Sequence, residues 1–352
     1  MRTDARHLLG VVLAVLSFSF VAAALLSFRF TSVPVRIFYT LASGWLGVLN
    51  FLVWAACLCW LIALPVHWLN TAGLAATGET ETRMWIANTL LMVAVVASLY
   101  GFINAQRIRV RSLRIVLPNL PESWRGRKAL MISDLHLGHV NGAGFARRIA
   151  GIAKRLNPDV ILIAGDLYDG SKIDPTRLAA PLFEVKPPLG IYFCGGNHEE
   201  FGDEAAYEAA LRAGGIHVLH NELTDVDGVQ VAGVRYAETT FPLRLRGILE
   251  KMRVDPGRAA ILLNHVPNRL PMVEQAGFDL QLSGHTHGGQ FFPFTWITQR
   301  VFGRFTFGLH AFGKLQVLTS VGVGTWGPPM RVGTAPEVIL VTFEADISKI
   351  GL

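Results

Sequence analysis

The chain has 352 residues, room for two domains of roughly 100–200 residues each. Hydrophobic residues make up 51% and charged residues 16%, against roughly 25% charged in an average soluble domain, and mean hydropathy is +0.39. These values exclude a disordered chain and argue against a wholly soluble one.

The N-terminal third holds the apolar excess. Leu8 to Phe28 is an uncharged stretch rich in Leu, Val, Ala and Phe, long enough to cross a hydrocarbon layer of about 30 Å. Its apolar core exceeds that of a cleaved signal peptide, and Ala22–Ala24 makes a poor cleavage site, so it reads as an anchor. A second uncharged stretch, Ile37 to Leu64, stops at Pro65 and carries Trp45, Trp54 and Trp60, with Trp68 just beyond. Pro65 to Gly78 is too polar and too short to cross alone. Met84 to Gln106 is the third stretch, with Trp85 and Tyr100 placed as interfacial anchors. The sequence thus predicts residues 1–106 as a membrane region with helices over about 8–28, 38–64 and 84–105.

Charge sets the expected orientation. Arg29, Arg36, Arg107, Arg109, Arg111 and Arg114 flank one side of the three spans, and Arg2, Arg6 and Arg83 the other. The excess of arginine predicts a multi-pass protein of the cell membrane with its C-terminal part in the cytoplasm. The net charge of +6 is concentrated near the membrane: residues 106–127 carry six arginines against Glu122, whereas 128–352 carry 21 basic and 22 acidic residues. The globular part therefore lacks the excess charge of a nucleic-acid groove, and the basic cluster suits anionic headgroups. Cys57, Cys59 and Cys194 show no metal or redox spacing.

Over 107–126, Arg107, Arg109 and Arg111 alternate with Ile108 and Val110, a strand-like period leading into a turn at Pro118–Pro121. From 127 to 345 short apolar runs end in polar clusters: Ala129–Ser133 before Asp134 and His136, Val160–Ala164 before Asp166, and Ile191–Cys194 before Asn197 and His198. Ala260–Leu263 then precedes His265, and Leu280–Leu282 precedes His285 and His287. Amphipathic stretches at Phe145–Leu156 and Glu204–Ala213 alternate with the first runs, which predicts an α/β fold. Val229–Val234, Leu315–Ser320 and Val338–Phe343 read as further strands, hence a second sheet packed on the first. In such folds ligands gather beyond the carboxyl ends of strands, where all five clusters lie.

Asp134, His136, Asp166, Asn197, His198, His265, His285 and His287 offer more donors than one ion accepts, since four-coordinate zinc takes three or four ligands. Seven ligands with one shared carboxylate satisfy two ions, the arrangement that clamps both oxygens of a phosphoryl displacement. Mixed imidazole and carboxylate donors favour Mn, Fe, Zn or Co over Ca or Mg. His139, His217, His220 and His310 read as ordinary surface or core residues. Asp169 reads equally well as a carboxylate orienting a ligand histidine or as a turn residue, and the glycines around Trp326 read as a turn.

Asp134-x-His136, Gly165-Asp166, Gly196-Asn197-His198-Glu199, Asn264-His265 and Gly284-His285-Thr286-His287 resemble, in order, the five motifs of the calcineurin-like metallophosphoesterase superfamily. Gly322–Glu337 is similar to the C-terminal end of its bacterial membrane-anchored phosphodiesterase branch. The resemblance implies a two-sheet sandwich flanked by helices. It implies one divalent ion on Asp134, His136, Asp166 and His287 and a second on Asp166, Asn197, His265 and His285, with Asp166 bridging. His198 would then face substrate and protonate the leaving oxygen or stabilise charge on the phosphoryl group, and a metal-bound hydroxide would attack phosphorus. The expected activity is hydrolysis of a phosphodiester or pyrophosphate of a lipid-linked or membrane-proximal substrate. The alternatives are a metal-loaded membrane sensor without turnover, or a phosphatase of small soluble phosphoesters. Residues 291–312 hold eight of the chain's 35 aromatic residues: Phe291, Phe292, Phe294, Trp296, Phe302, Phe305, Phe307 and Phe312. With Arg300 and Arg304 among them, they suit an interface between apolar tails and phosphates, or alternatively they complete the domain core or pack on the membrane spans.

Overall fold

The computed structural model describes residues 3–72 and 79–345. Arg2 and the side chain of Arg6 lie outside the described residues, as do 73–78 within the second polar stretch. Three helices come first: α1 (Thr3–Ser27), α2 (Val33–Thr71) and α3 (Glu79–Ala105). Each contains a segment long and apolar enough to cross a membrane: His7–Ser27, Val33–Leu69 and Thr80–Ala105. Their large side chains are mostly exposed, as expected where lipid rather than protein is the neighbour. The sequence ended the second helix before Pro65, but α2 runs through it as one helix of 39 residues. Proline removes a single backbone donor, which a membrane-length helix tolerates where neighbouring groups compensate.

The globular body contains, in chain order, β1 (Arg109–Leu117), β2 (Lys128–Ile132), β3 (Val160–Ala164), β4 (Ile191–Cys194), β5 (His217–Val218), β6 (Glu222–Val226), β7 (Val229–Gly233), β8 (Ala260–Leu263), β9 (Leu280–Ser283), β10 (Gly308–Phe312), β11 (Leu315–Thr319) and β12 (Glu337–Ala345). Among the described residues they form two six-stranded sheets, ordered β1-β12-β2-β3-β4-β5 and β10-β11-β9-β8-β7-β6. The basic alternating segment is β1, which pairs in parallel with β12 from Arg109 opposite Glu337 to Leu117 opposite Ala345. It belongs to the first sheet rather than standing apart as a linker, because Ile115 and Leu117 are buried between the sheets.

Alternation along each strand builds the layers. Ala129 and Met131 of β2, Val160 and Leu162 of β3, and Ile339 and Val341 of β12 point inward. They meet Val229, Val231, Ile261, Leu263, Leu280 and Leu282 of the second sheet. Leu130, Ile132, Ile161 and Ile163 point outward beneath the helices Ala143–Leu156, Pro175–Phe183 and Glu204–Ala213. Leu262 and Val317 do the same beneath Pro242–Met252 and Leu270–Gln275. The outcome is the expected sandwich of two mixed sheets flanked by helices.

The body is not tethered loosely to the membrane helices. Gly47 of α2 is buried so closely against the globular part that an added Cβ would stand 2.6 Å from Met330 Cε. Asn50 Nδ2 donates to the Phe292 carbonyl at 3.0 Å, and Asn104 Nδ2 of α3 donates to the carbonyls of Arg331 and Thr334 at 3.0 and 2.7 Å. The Arg331 amide donates to the Gly101 carbonyl, and the Lys172 amide to the Ser27 carbonyl. The end of α1, the first half of α2 and the end of α3 therefore all face the sandwich.

Trp124 closes the inter-sheet core. It is fully buried, donates from Nε1 to the Val226 carbonyl at 2.9 Å and stands edge-on to Phe343. Trp124→Ala is expected to cost about 3–5 kcal/mol, the range for truncating a buried aromatic residue. A fall in the thermal midpoint of the full chain in detergent checks it, with no shift counting against this core assignment.

Candidate metal centre

The five polar clusters come together at the carboxyl ends of β2, β3, β4, β8 and β9. Asp134, Asp166, His265 and His285 lie just beyond β2, β3, β8 and β9, and Asn197 and His198 open the short helix Asn197–Phe201 after β4. Five of these residues turn through left-handed backbone: Asp134 (φ 54°), His136 (48°), Asp166 (51°), His285 (68°) and His287 (49°). Outside glycine that region is sparsely populated and costs roughly 1–3 kcal/mol per residue, so it persists only where the surroundings fix it. Here hydrogen bonds between loops do so. The Asp134 amide donates to the Gly165 carbonyl and the His136 amide to the Asp166 carbonyl, both at 3.1 Å. The His285 amide donates to Asp134 Oδ1, and the His198 amide to Asp166 Oδ1, both at 2.9 Å.

These bonds tie the β2 loop to the β9 loop and the β3 loop to the β4 loop through the two carboxylates. Asp134, His136 and His287 place donor atoms together, as do Asp166, His265 and His285, and His198 falls within the same reach of His136 and Asp166. His136 Nε2 is 3.0 Å from His287 Nε2, which is 3.5 Å from Asp134 Oδ1. Asp166 Oδ2 stands between the groups, 3.0 Å from His265 Nε2 and 3.8 Å from His136 Nε2. The Asn197 side-chain oxygen joins the second group, 2.9 Å from His285 Nδ1. Although buried, Asp134 Oδ2 and His265 Nε2 have no aligned hydrogen-bond partner. Unpartnered buried polar atoms are costly, and several converging lone pairs fit divalent cations better than they fit one another. The donor set passes the test of fit.

The charge states agree. Burial holds His136 and His287 well below the usual imidazole range, so both are neutral, the form that ligates metals. Burial pushes Asp134 up to about 6. It pushes Asp166 the same way, but His265 overrides it and holds that carboxylate well below its usual range. Burial lowers His265, and Asp166 more than reverses this, raising it to about 10. A proton on His265 thus occupies the place where a cation would satisfy the same carboxylate.

His198 is held differently. Its Nδ1–H donates to the Asp169 backbone carbonyl at 2.8 Å, which leaves Nε2 free. Asp169 thus orients His198 through its main chain, while its carboxylate accepts from the amides of His139 and Ser171. The Trp326 ring lies edge-on to His198 with centroids 5.7 Å apart. His139, His217, His220 and His310 stay outside the cluster: His220 pairs with Glu208, His217 stacks on Tyr192, and His139 contacts Tyr39. Glu204, Glu208 and His220 also lie close together, but Arg235 and Arg212 already pair with the two glutamates.

Three supporting residues were not visible in the sequence as such. Glu199 is buried, and its carboxylate accepts the amides of Asp166, Tyr168 and Gly196 at 2.7–2.9 Å, tying two loops together. Arg331 is fully buried and donates to the carbonyls of Val321 and Gly324 at 2.7 Å, with its guanidinium 3.1 Å from His287 Nδ1. Gln290 accepts the Trp326 amide and donates to the Trp326 and Pro328 carbonyls, so this glycine-bordered segment is a pinned turn. Only their burial distinguishes Glu199 and Arg331 from surface charges, and burial is set by distant segments.

Residues 127–289 match the family model of the calcineurin-like phosphoesterases. The chain is 35% identical over 268 residues to a transmembrane protein with metallophosphoesterase domain from Danio rerio, covering 70% of this chain and 60% of that protein. It is 32% identical to an uncharacterized metallophosphoesterase of Aquifex aeolicus, covering 72% of this chain and 98% of that one. A further metallophosphoesterase, from Campylobacter jejuni, is 30% identical over 72% of this chain and 68% of its own length. The chain belongs to the calcineurin-like phosphoesterase family.

Glu199→Gln would place an amide donor among backbone donors, at about 1–3 kcal/mol for a buried mismatch. The variant is expected to melt lower and bind metal more weakly although Glu199 offers no atom to the donor groups. Unchanged melting and metal content would show that the clamp does not matter.

Proposed function

We propose that the chain is a membrane-anchored phosphoester hydrolase that works with two divalent transition-metal ions. The observation that carries this reading is the pair of donor groups with Asp166 between them. Asp134, His136, Asp166 and His287 would hold one ion, and Asp166, Asn197, His265 and His285 the other, with Asp166 bridging. When bound, such ions supply Lewis acidity towards the phosphoryl oxygens and acidify water at neutral pH. Manganese, iron, zinc and cobalt all suit these donors.

The protein's own groups do the rest. With Nδ1–H committed to the Asp169 carbonyl, the mobile proton of His198 sits on Nε2, positioned to pass to the leaving oxygen. Arg331 and Gln290 fix the loop behind His287, and Trp326 shields one side of His198. A non-catalytic sensor would have no need of a proton donor held in this way.

The preferred substrate is a phosphodiester or pyrophosphate that is lipid-linked or presented at the bilayer surface. Three membrane-length helices packed against the body support this, as does the position of 291–296 against α2. The protein is read as a multi-pass protein of the cell membrane, with its body in the cytoplasm. Arg29, Arg36 and Arg107 lie at the helix ends that face the body, as a positive-inside arrangement requires.

Hydrolysis of bis(p-nitrophenyl) phosphate and p-nitrophenyl phosphate by the full chain in detergent, with added Mn, Zn or Co, tests the activity. Elemental analysis is expected to give two ions per chain, and one tight ion under all conditions would refute the two-metal site. His198→Ala is expected to keep its metals and lose about 10²–10⁴ in kcat. His265→Ala should instead lower occupancy of the second ion. For orientation, a reporter fused after Leu352 is expected to signal only from the cytoplasm, and a periplasmic signal would reverse the assignment.

A further inference from the structure

A cavity of about 510 Å³ joins the metal centre to the membrane region. One end is formed by His285 and His287 with Trp326, the ring beside His198. One wall is α2, which contributes Leu46, Leu49, Asn50 and Val53. These positions, spaced by three and four residues, form a single helix face that runs about 10 Å along the axis. The facing wall is Phe291, Phe294 and Thr298. Thr286, Gly289 and Gln290 also line it, while the remainder of both walls, Asn50 and Thr298 aside, is hydrocarbon and aromatic ring.

The aromatic segment divides in two. Phe305 and Phe312 pack on the outer core of the second sheet. Phe291 and Phe292 instead meet α2, at 6.0 Å from Phe51 and 5.1 Å from Trp54 between ring centroids. The helix Phe294–Phe302 that follows has no buried residue and exposes Phe294, Trp296, Ile297 and Val301. An exposed apolar helix beside a membrane-length helix has the character of an element lying in the bilayer interface. Val53 and Trp54 on the α2 rim are also exposed.

We infer that this groove is the binding site for the hydrocarbon chain of a membrane phosphoester, which enters from the bilayer between α2 and the Phe291–Thr298 segment. The inference rests on the phosphoesterase reading above and adds where the apolar part of the substrate lies. A phosphoryl group held at His285 and His287 leaves its substituent facing Leu46, Leu49 and Val53, a surface that rewards methylene groups and offers little to a sugar or a peptide. Asn50 spends one side-chain N–H on the Phe292 carbonyl.

The test uses the full chain in detergent with manganese and a series of alkyl p-nitrophenyl phosphates from methyl to decyl. Burial of each methylene can raise affinity on the order of threefold, so the decyl to methyl ratio of kcat/KM is expected to reach about 100-fold or more. Leu49→Trp, which fills the groove, is expected to cut that ratio at least tenfold, whereas Leu99→Trp, on an exposed position of α3, should not. A ratio near one, or equal ratios in wild type and Leu49→Trp, would overturn the inference while leaving the hydrolase reading intact. A decyl phosphonate with a terminal diazirine gives a readout independent of turnover. Labelling concentrated on residues 46–53 and 291–298 is the expected result, and even labelling over α1 and α3 would overturn the groove. If no ester is hydrolysed under any metal, the hydrolase reading fails, and the labelling alone decides whether the groove holds a chain.

Discussion

The site depends on a single buried carboxylate. Asp166 is 2% exposed, in a position where an uncompensated charge would be very costly. One oxygen accepts from the His198 amide, and the other faces the imidazoles of His265 and His136 at 3.0 and 3.8 Å. Its own amide is held by Glu199, so the residue is fixed by β4's loop as well as by β3. Because Asp166 stands between the two donor groups, any shift of either loop would disturb both at once. The left-handed turns at Asp134, His136, His285 and His287 bring the remaining donors to it, with the strain held by a rigid sandwich.

A second set of contacts runs outward from the same place. Arg331 gathers the carbonyls of Val321, Gly324 and His287, and its amide is bound by Gly101 of α3. Burial lowers its guanidinium to about 10, still a cation at neutral pH, so its charge is retained beside the site. The loop that backs His287 is therefore supported by a membrane helix. Beside it, α2 meets Phe291 and Phe292, which directly follow Gln290.

Much of this was legible in the sequence. Short apolar runs ending in polar clusters give both the strands and the convergence of their loops, because side chains beyond the carboxyl ends of neighbouring strands must meet. Hydropathy marks the three helices for the same physical reason that lipid tolerates them. What local pattern could not supply was long-range. Pro65 looked like a stop, yet α2 continues through it. The basic alternation at Arg107–Arg111 reads as a strand, but the pattern does not say which sheet it joins, because its partner, β12, lies more than two hundred residues away. Asp169 was considered for its carboxylate, whereas its carbonyl orients His198. Glu199 and Arg331 became distinguishable only once burial was known.

The fit of Gly47 against Met330 has a consequence for how the two parts of the molecule relate. In a tethered enzyme, cutting the tether liberates an active soluble fragment. Here removal of the helices would uncover Met330 and Val332, strip the Arg331 amide of its acceptor and take away one side of the cavity beside His285 and His287. The membrane helices are then a structural part of the body rather than a tether to it.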